Sequence, residues 1–563
     1  MQLTTQDIEC DILVLGGGLG GCAAAIRAAR QGHNVCLTEA TPWLGGQLTS
    51  QGVSTLDEHQ QIEYGNATAL YRELREQIRS CYLSRYQLSE KAQHAPFFNP
   101  GDSWGHSLSC EPRVGLAALL AMALPEVEAG RLRIFYHAHI VDAERTGSSI
   151  RTLSVAQADF NRHLRFHAAY YLDATEYGDL LPLLDIPVAN DTVADPSFSY
   201  ALAVDYQTGD DHTQSKPPNY TYNRQHPPYS FDMPHKALFE SSEDLPGSLW
   251  TQRRILAADQ FAPGQVAADI ILLRWAGNTC HGGNIATMPP TTRGALLQKG
   301  KDLSLGLLYW LQTEVPRHDG RGRGYPELRL RRDIMGTTDG LSQCPHSHQS
   351  RRIIPQQTVG KQDLFAPWQS GVRSAFFADS IGICYPPAHH LLANESAKPF
   401  QIPLSAMITR DIDNMLPACK NLGISAEIGS SFHSHPSEWN IGEVAGSLSG
   451  FCLEHRTKPS AIVGSEKLLH AFQVHLLQQG VPLYCYDDLP VDHPASTAAQ
   501  LLALRHLWLS DENHLHFDPD HPMRNEEINS RLDQAQMPRV STTTITRSEL
   551  AQIIARQRCN LHI

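Results

Sequence analysis

The stretch that decides the fold is CDILVLGGGLGGCAAAIRAARQGHNVCLTEATPWLGGQ, residues 10–47. The apolar run 12–15 has the length of a buried parallel strand. An Ala-rich segment over residues 22–31 predicts a helix, and residues 34–38 predict a second strand with Glu39 at its end. A six-residue glycine-rich loop joins the first strand to the helix, so the stretch predicts one α/β unit.

This loop contains G-x-G-x-x-G, with Gly16, Gly18 and Gly21 in the glycine positions and Gly20 between them. The first glycine allows a tight turn, the second lets the backbone approach a pyrophosphate, and the third lets the helix pack closely on the strand. Free N–H groups at the helix start bind phosphates, and Glu39 can accept hydrogen bonds from a ribose 2′-OH. The pattern predicts a dinucleotide site; the alternative is a glycine-rich turn in an ordinary α/β unit.

Length and composition limit the possible classes of protein. A chain of 563 residues predicts two or three domains. A net charge of −13 argues against nucleic acid and anionic membrane surfaces as partners. No run of 18 apolar residues suggests a membrane span, and the first residues lack the pattern of a signal peptide. The twelve cysteines are scattered without C-x-x-C, so we expect free thiols in a reducing cytoplasm.

Further motifs distinguish between dinucleotides. Gly45-Gly46-Gln47 resembles the second glycine pair of FAD flavoproteins of the glutathione-reductase and fumarate-reductase type, which favours FAD over NAD. Residues 173–180, DATEYGDL, resemble the DATxxGD signature of FAD enzymes. That resemblance implies that Asp173, with Gly178 in the same turn, helps hold the ribityl or pyrophosphate part of FAD. In such folds a branched residue like Ile140 contacts adenine through its backbone.

A wider resemblance rests on five segments in order. They are LRLRRDIMGTTDGL (328–341), SHQSRRIIPQQTVGKQDL (347–364), FADSIGICYPPAHH (377–390), IPLSAMI (402–408) and FHSHPSEWNIGEVAGSLSGFCLE (432–454). Together with the glycine loop they resemble the FAD-dependent oxidoreductase family, a distant relative of fumarate reductase and succinate dehydrogenase flavoproteins. The resemblance covers about residues 8–452.

In this class a helix of small residues points its N-terminus at the flavin pyrimidine. The resemblance places that helix start at Gly442, Glu443 and Ala445, where N–H groups and the helix dipole would stabilise reduced flavin. The alternative interpretation is a helix whose small residues serve packing.

The candidate catalytic residues lie where the sequence departs from the family pattern. Arg351 or Arg352 would hold an anionic substrate through a guanidinium fork, or both form structural ion pairs. His389 and His390 are candidate general acids or bases. Of His433 and His435, one is expected to face the flavin. Because this polar region is rebuilt, no substrate is transferred from a relative.

No metal is expected. Histidines and Cys344 offer ligand types for zinc in the segments C-x-H-x-H and H-x-H, but the family resemblance explains most of these positions. Covalent attachment of FAD to a histidine stays open.

The predicted fold class is α/β, with a Rossmann-like FAD-binding domain of the glutathione-reductase type, an inserted α+β cap and a small helical C-terminal module. The FAD-binding domain would comprise residues 1–185, with an insertion near 50–110, and residues 401–453. Residues 186–400 would form the cap or substrate domain. Residues 454–563 resemble one S-layer-homology-type repeat, and we interpret them as a packing or oligomerisation module.

The predicted function is hydride transfer between FAD and a small polar or carboxylated organic substrate. No second G-x-G-x-x-G is present for NAD(P)H, so O₂, a quinone or a carrier protein is the expected acceptor. A reductase of an activated double bond and a non-catalytic FAD-holding binding or assembly protein are the alternatives. A homo-oligomer is possible.

Overall fold

A computed structural model describes residues 4–191, 196–218, 220, 238–239, 247–365, 372–385, 398–508, 514–541 and 544–559. Within these residues, the strands are β1 (Thr4–Leu15), β2 (Val35–Thr38), β3 (Leu132–Phe135), β4 (His139–Thr146), β5 (Ser149–Gln157), β6 (Arg162–Asp173), β7 (Ser197–Ser199), β8 (Leu202–Tyr206), β9 (Arg254–Leu256), β10 (Ile270–Leu273), β11 (Thr279–His281), β12 (Leu328–Leu330), β13 (His346–Ser347), β14 (Ser380–Cys384), β15 (Phe400–Pro403), β16 (Met415–Pro417), β17 (Pro522–Met523) and β18 (Ile545–Thr546).

The α-helices of the same residues vary from one turn to six turns. They are α1 (Leu19–Arg30), α2 (Ala69–Leu83), α3 (Glu90–Gln93), α4 (Pro112–Glu128), α5 (Leu180–Leu183), α6 (Leu249–Gln252), α7 (Pro290–Thr313), α8 (Arg332–Met335), α9 (Lys361–Leu364), α10 (His435–His455), α11 (Pro459–Val463), α12 (Glu466–Gln478), α13 (Ser496–Leu504), α14 (Asn525–Gln534) and α15 (Arg547–Arg558).

The largest sheet has the order β3-β2-β1-β6-β5-β4, and β16 also pairs with β6. β1 is parallel to β2 and β6, with Leu15 opposite Thr38 and Asp173, and β16 is parallel to β6. The carboxyl ends of these parallel strands therefore meet at one edge, beside the glycine loop that follows Leu15. This sheet and the helix after the loop confirm the predicted α/β class with a Rossmann-like unit.

The pattern of residues 131–142 predicts one strand, but the structure has two strands there, β3 and β4. His137 has a positive φ of 54°, which breaks the extended backbone between β3 and β4. β3 joins one edge of the sheet beside β2, whereas β4 pairs with β5 at the other edge. The hairpin predicted over residues 149–166 is present, because β5 and β6 are antiparallel.

The helix expected to start at Gly442 starts at His435 instead, with Pro436 in its first turn. Gly442 lies two turns into α10, where it packs against α1. A Cβ there would lie 1.9 Å from the backbone oxygen of Gly20, and one at Gly446 would lie 2.3 Å from that of Ala24. The small residues thus allow two buried helices to approach closely, which was the alternative interpretation of this segment.

The helical spacing and mixed charge of residues 60–80 predict a surface helix, but the structure differs in its start and in its burial. A short 3₁₀ helix covers Gln60–Tyr64, and α2 begins after Thr68, whose hydroxyl accepts the Tyr71 N–H at 3.1 Å. One face of α2 is buried through apolar side chains, and Arg75 on that face forms ion pairs with Glu58 and Glu63. Part of the charge that suggests a surface helix is therefore paired inside the protein.

A second hydrophobic cluster lies in the segment predicted as the cap. It combines the sheet β12-β8-β10-β9 with the sheet β11-β7-β13 and the apolar stripe of α7, which includes Leu307, Leu308 and Leu311. Much of the predicted loop between residues 190 and 247 lies outside the described residues. The described part of this region contains antiparallel strands and a long helix, and its role as a cap stays a prediction.

The C-terminal segment is mainly helical and shares its hydrophobic core with the nucleotide-binding unit. One continuous cluster contains Ile12 of β1, Trp439 of α10, Phe472 of α12, Trp508 and Ile554 of α15. The terminal helices therefore pack as part of the main body. Their resemblance to an S-layer-homology repeat stays a prediction.

All twelve cysteines are free thiols. Among the described residues, no helix combines the length and the apolar content needed to cross a membrane.

We predict that Gly442→Ala destabilises the protein by roughly 3 kcal/mol, because its new methyl group would overlap the backbone of α1 and force the helices apart. The matched control is Gly294→Ala in α7, where a Cβ meets nothing within 4 Å. The free energy of unfolding in urea measures both changes. Equal stability of the two variants would contradict the close packing of α1 on α10.

Candidate functional site

A cavity of about 550 Å³ lies at the edge of the sheet where the parallel strands end. The glycine loop and the segment after β2 form one side of it, through Gly16, Gly18, Glu39 and Gly46. The start of β4 contributes Ala138, His139 and Ile140. Five predicted cofactor residues, Gly16, Gly18, Glu39, Gly46 and Ile140, therefore meet in one cavity.

The glycines of the loop have different steric roles. Gly16 has a φ of 96°, and a Cβ there would lie 2.3 Å from the Ala174 oxygen. A Cβ at Gly21 would lie 1.9 Å from the Gly16 oxygen, so this glycine allows α1 to pack on the loop. A Cβ at Gly18 would meet only a Glu438 oxygen, at 3.3 Å. Gly18 thus presents bare backbone to the cavity, which fits close approach by a pyrophosphate.

Glu39 is buried beside the loop. One carboxylate oxygen accepts the Gly17 N–H at 2.7 Å, and the other accepts the Thr41 N–H at 2.8 Å. Burial raises the pKa of this carboxyl, and both hydrogen bonds oppose the increase. The Glu39 backbone oxygen accepts the Ala138 N–H at 2.9 Å, which holds the start of β4 against the acid. The acid that would bind a ribose is therefore fixed next to Ile140.

Glu438 of α10 joins three segments around the start of α1. Its carboxylate accepts the Gly20 N–H at 3.3 Å, the Gln47 side-chain N–H at 2.6 Å and the Cys419 thiol at 3.4 Å. Gln47 also donates to the His433 backbone oxygen at 3.0 Å. Burial raises the pKa of Glu438. Gln47 and Gly20 thus hold the walls of the site together, and neither lines the described cavity.

Three other predicted cofactor residues, Gly45, Asp173 and Gly178, do not line the described cavity. Gly45 donates to the Gly17 oxygen at 2.7 Å. Asp173 is fully buried; one oxygen accepts the Thr175 N–H at 3.0 Å, and burial raises its pKa to about 6. Its second oxygen has no hydrogen-bond partner among the described residues. Gly178, with a φ of 63°, packs against the Arg351 backbone.

The remaining predicted cofactor residues lie in the interface of α1 and α10. Glu443 forms a buried ion pair with Arg27 of α1, whose Nε donates to it at 3.1 Å, and it also accepts the Trp439 indole N–H at 3.1 Å. Ala445 is fully buried in the core, and Gly442 contacts Gly20 as described above. The structure gives these three residues a packing role and does not bring them into the cavity.

A second group of lining residues surrounds the part of the cavity nearest the cap. It consists of Ser50, Gln51, Glu176, Tyr177, Arg293 and Cys344. The Arg293 guanidinium lies 4.7 Å from the centre of the Tyr177 ring, a cation–π contact between α7 and the turn after β6. Glu176 forms an ion pair with the buried Lys420. The charges of Glu176 and Lys420 therefore compensate each other.

A cluster of three histidines adjoins Gln51, and of these His346 and His433 are buried whereas His348 is exposed. The Nδ1 atom of His346 is 2.9 Å from the Gln51 side-chain oxygen. The rings of His346 and His348 are 4.9 Å apart, and those of His348 and His433 are also 4.9 Å apart. Burial lowers the pKa values of His346 and His433 well below normal, and nearby positive charges lower them further. Both imidazoles are therefore neutral at pH 7 and can accept protons.

The other predicted catalytic residues have different surroundings. His435 is bonded through both ring nitrogens: Nε2 to the Val53 oxygen at 2.8 Å and Nδ1 to the Asp57 N–H at 3.1 Å. This leaves its ring no free nitrogen for proton transfer to a substrate. His389 and His390 lie outside the described residues.

Arg351 and Arg352 form ion pairs, which was the alternative interpretation for both. Arg351 donates to Asp179 at 3.1 Å and to the Tyr177 oxygen at 3.0 Å. Arg352 donates to Asp191 at 2.6 Å. Each guanidinium thus has an ion-pair partner in the chain, while Nε of Arg352 is buried without a hydrogen-bond partner among the described residues. That one of the two faces the site stays a prediction.

Two arginines that the sequence did not single out lie near the histidines. The charges of Arg253 and Arg274 interact with each other, and the charge of Arg274 lowers the pKa of His346. The one available signal was Arg274 itself, a charged residue at the end of the apolar run IILL. Arg253 directly precedes Arg254 and belongs to no recognisable motif, so the sequence pattern alone could not identify it.

Among the described residues, one group brings three possible metal-ligand atoms together, and it is remote from this cavity. It consists of Asp487, Asp488 and His516 in the C-terminal segment. Both Asp488 oxygens accept backbone N–H groups at 2.7 Å, and His516 is exposed.

Comparison with known proteins gives a family match over most of the chain. The sequence pattern of the family described as "FAD dependent oxidoreductase" matches residues 11–476. This match extends beyond the boundary predicted at residue 453 and includes α12. Among curated proteins, the chain is similar to the carotenoid phi-ring synthase of Chlorobaculum tepidum, with 43% identity over 53 residues. That similarity covers 9% of this chain and 8% of the synthase.

Similar solved structures include a geranylgeranyl bacteriochlorophyll reductase-like protein of Thermoplasma acidophilum, at 9% identity and a TM-score of 0.31, covering 98% of this chain and 97% of that one. Another is p-nitrophenol 4-monooxygenase of Pseudomonas putida, at 12% identity and a TM-score of 0.29, covering 62% and 70%. A third is the L-proline dehydrogenase of P. horikoshii, at 14% identity and a TM-score of 0.18, covering 34% of this chain and 25% of that one. TM-scores this low support no inference about substrate.

We predict that His433 makes the folded protein less stable in acid. The unfolded chain takes up a proton on this residue below about pH 6.5, whereas the folded protein does not, because burial keeps the folded pKa far lower. His433→Asn should therefore reduce the stability lost between about pH 7.5 and pH 5.5 by about 1.4 kcal/mol. Urea unfolding at both pH values measures this difference, and parallel profiles of variant and wild type would contradict it.

Proposed function

Because the chain belongs to the family of FAD dependent oxidoreductases, we propose that it transfers a hydride between FAD and a small polar or carboxylated organic substrate. The observation that carries the proposal is the continuity of the site. One cavity begins at the glycine loop and Glu39 and extends to Gln51, whose side chain contacts His346 of the histidine cluster.

The lining suggests how the cavity would hold FAD. Glu39 would accept hydrogen bonds from the adenosine ribose, and the backbone of β4 at Ile140 would contact adenine. The bare backbone at Gly18 and the positive end of α1 would bind the pyrophosphate. The isoalloxazine would then reach Gln51 and Cys344, next to the cap. The Asp173 carboxylate oxygen that has no partner among the described residues would accept a hydrogen bond from a hydroxyl group of FAD.

FAD supplies a two-electron acceptor or donor when it is bound. The residues around it must then move the accompanying proton. His433 is suited to this role because its ring makes no hydrogen bond within the described residues and its pKa is lowered. When a substrate loses a hydride from carbon, the imidazole of His433 accepts the proton that leaves the neighbouring oxygen or nitrogen. In the opposite direction, protonated His433 donates this proton to the substrate while the activated double bond of the substrate is reduced.

The partner for electrons is proposed to be O₂, a quinone or a carrier protein, since the sequence contains one G-x-G-x-x-G only. Twelve free thiols favour a reducing compartment, so we propose that the protein acts in the cytoplasm.

Gly18→Ala tests the placement of FAD. The new methyl group would lie 3.3 Å from a Glu438 side-chain oxygen, so a small shift of that side chain accommodates it. The apoprotein of the variant should therefore melt close to the wild-type apoprotein, but the methyl group would block the pyrophosphate. We expect at least a tenfold loss of bound FAD per chain, measured by absorbance after purification. The control is Gly429→Ala, at a position where a Cβ meets nothing within 4 Å. Full FAD content in the Gly18 variant would refute this placement.

His433→Asn tests the catalytic proposal. A screen of hydroxy acids, amino acids and enoates should find compounds that bleach the flavin under anaerobic conditions, or that reoxidise reduced flavin. Losing the proton acceptor should then slow the flavin reaction about 100-fold or more while FAD content stays normal. An unchanged rate would remove His433 from the mechanism. Flavin that no compound of these classes reduces or reoxidises would contradict hydride transfer.

A further inference from the structure

We propose that Arg274 and Arg253 form a binding site for one carboxylate group of the substrate, beside the histidine cluster of His346, His348 and His433. The proposal rests on the function proposed above and names the chemical group that the site recognises. Arg351 and Arg352 each form an ion pair with a carboxylate of the chain, whereas Arg253 and Arg274 form none among the described residues.

Arg274 directly follows β10, between the buried residues Leu273 and Trp275. Its Nε atom is buried and has no hydrogen-bond partner, and the guanidinium forms no ion pair within the described residues. Leaving a buried charged donor unpaired costs free energy, so such a group is kept where a ligand completes it.

Arg253 and its neighbour Arg254 show the contrast between an available and a structural arginine. Arg254 donates to Asp269 at 2.9 Å and to the backbone oxygens of Gly101 and Asp102 at 2.7 and 3.1 Å. In the described part of the chain, Arg253 donates only to the Thr55 hydroxyl, at 3.3 Å. The fold therefore satisfies one arginine fully and leaves most donors of the other unused.

The surrounding charges favour a monoanion. Burial and the charge of Arg253 lower the pKa of Arg274 to about 9, and Asp57 opposes this only partly. Asp57 is the acid whose charge acts on both arginines, and its carboxylate lies 3.7 Å from Nδ1 of His106. His346 and His433 are neutral, and Lys420 is compensated by Glu176. Two arginines and Asp57 leave a net charge of about +1, which one carboxylate neutralises.

The location also suits a substrate group next to the flavin. Arg274 is close enough to His346 for its charge to act on that ring, and His346 is hydrogen-bonded to Gln51 of the cavity wall. A guanidinium fork holds a carboxylate through two parallel hydrogen bonds, which fixes its orientation. A carboxylate bound here would direct its α-carbon toward the Gln51 end of the cavity.

Melting temperatures of the holoprotein and three variants test the proposal. Arg274→Met should raise the melting temperature in chloride buffer by roughly 2 °C or more, because it removes a partly buried charge that has no ion-pair partner among the described residues. The control Arg254→Met should lower it, because Asp269 and two backbone oxygens lose their partner. A decrease for Arg274→Met as large as that for Arg254→Met would show a structural role and overturn the proposal.

The same proteins are then titrated with acetate, lactate, succinate and benzoate at constant ionic strength. At least one carboxylate should raise the melting temperature of the wild type by about 3 °C at saturation and leave Arg274→Met unchanged. Arg274→Lys keeps the charge without the fork and should bind about tenfold more weakly. Equal shifts in wild type and Arg274→Met, no shift with any carboxylate, or a larger shift with inorganic phosphate would each overturn the carboxylate site.

These readouts are independent of turnover. A carboxylate shift that requires Arg274, in a protein whose flavin no substrate reduces or reoxidises, would refute hydride transfer and retain the anion site. Flavin chemistry that is undiminished in Arg274→Met would refute the anion site and retain hydride transfer.

Discussion

The close approach of α1 and α10 is the constraint on which the site depends. Glycine at 442 and 446 lets the two helices touch through their backbones, and the buried pair of Arg27 and Glu443 fixes their register. Because α10 is held there, Glu438 accepts the Gly20 N–H near the start of α1, and His433 directly precedes the N-cap of α10. Residues more than 400 positions apart thus support the glycine loop that lines the cavity.

Local steric rules made part of the site predictable. A tight turn, a bare backbone and a close helix require glycine, and an acid after the second strand lies where the strands end. Gly16, Gly18 and Glu39, which the sequence predicts to share one site, accordingly line one cavity. Gly442 and Glu443 were assigned to the cofactor because a run of small residues looks the same whether it faces a ligand or another helix. Only the partner distinguishes the two cases, and here the partner is 422 residues earlier in the sequence, at Gly20.

Charged residues were harder to assign, since their role depends on partners that sequence does not reveal. Arg351 and Arg352 occur in a family motif, yet Asp179 and Asp191 already neutralise them. Arg253 and Arg274 occur in no motif, and neither forms an ion pair among the described residues. Glu39, Glu438, His346 and His433 are buried groups with shifted pKa values in or near the cavity wall. Perturbed pKa values are common at functional sites.

The most direct test of this account is a crystal structure of the protein with FAD bound. The account predicts adenine beside Ile140, the ribose on Glu39, the pyrophosphate against Gly18, and the isoalloxazine between Gln51 and the cap, with His433 near its reactive face. FAD bound in the reverse direction, or with its ring away from Gln51 and the histidine cluster, would contradict the central claim that this cavity joins the dinucleotide site to the redox site.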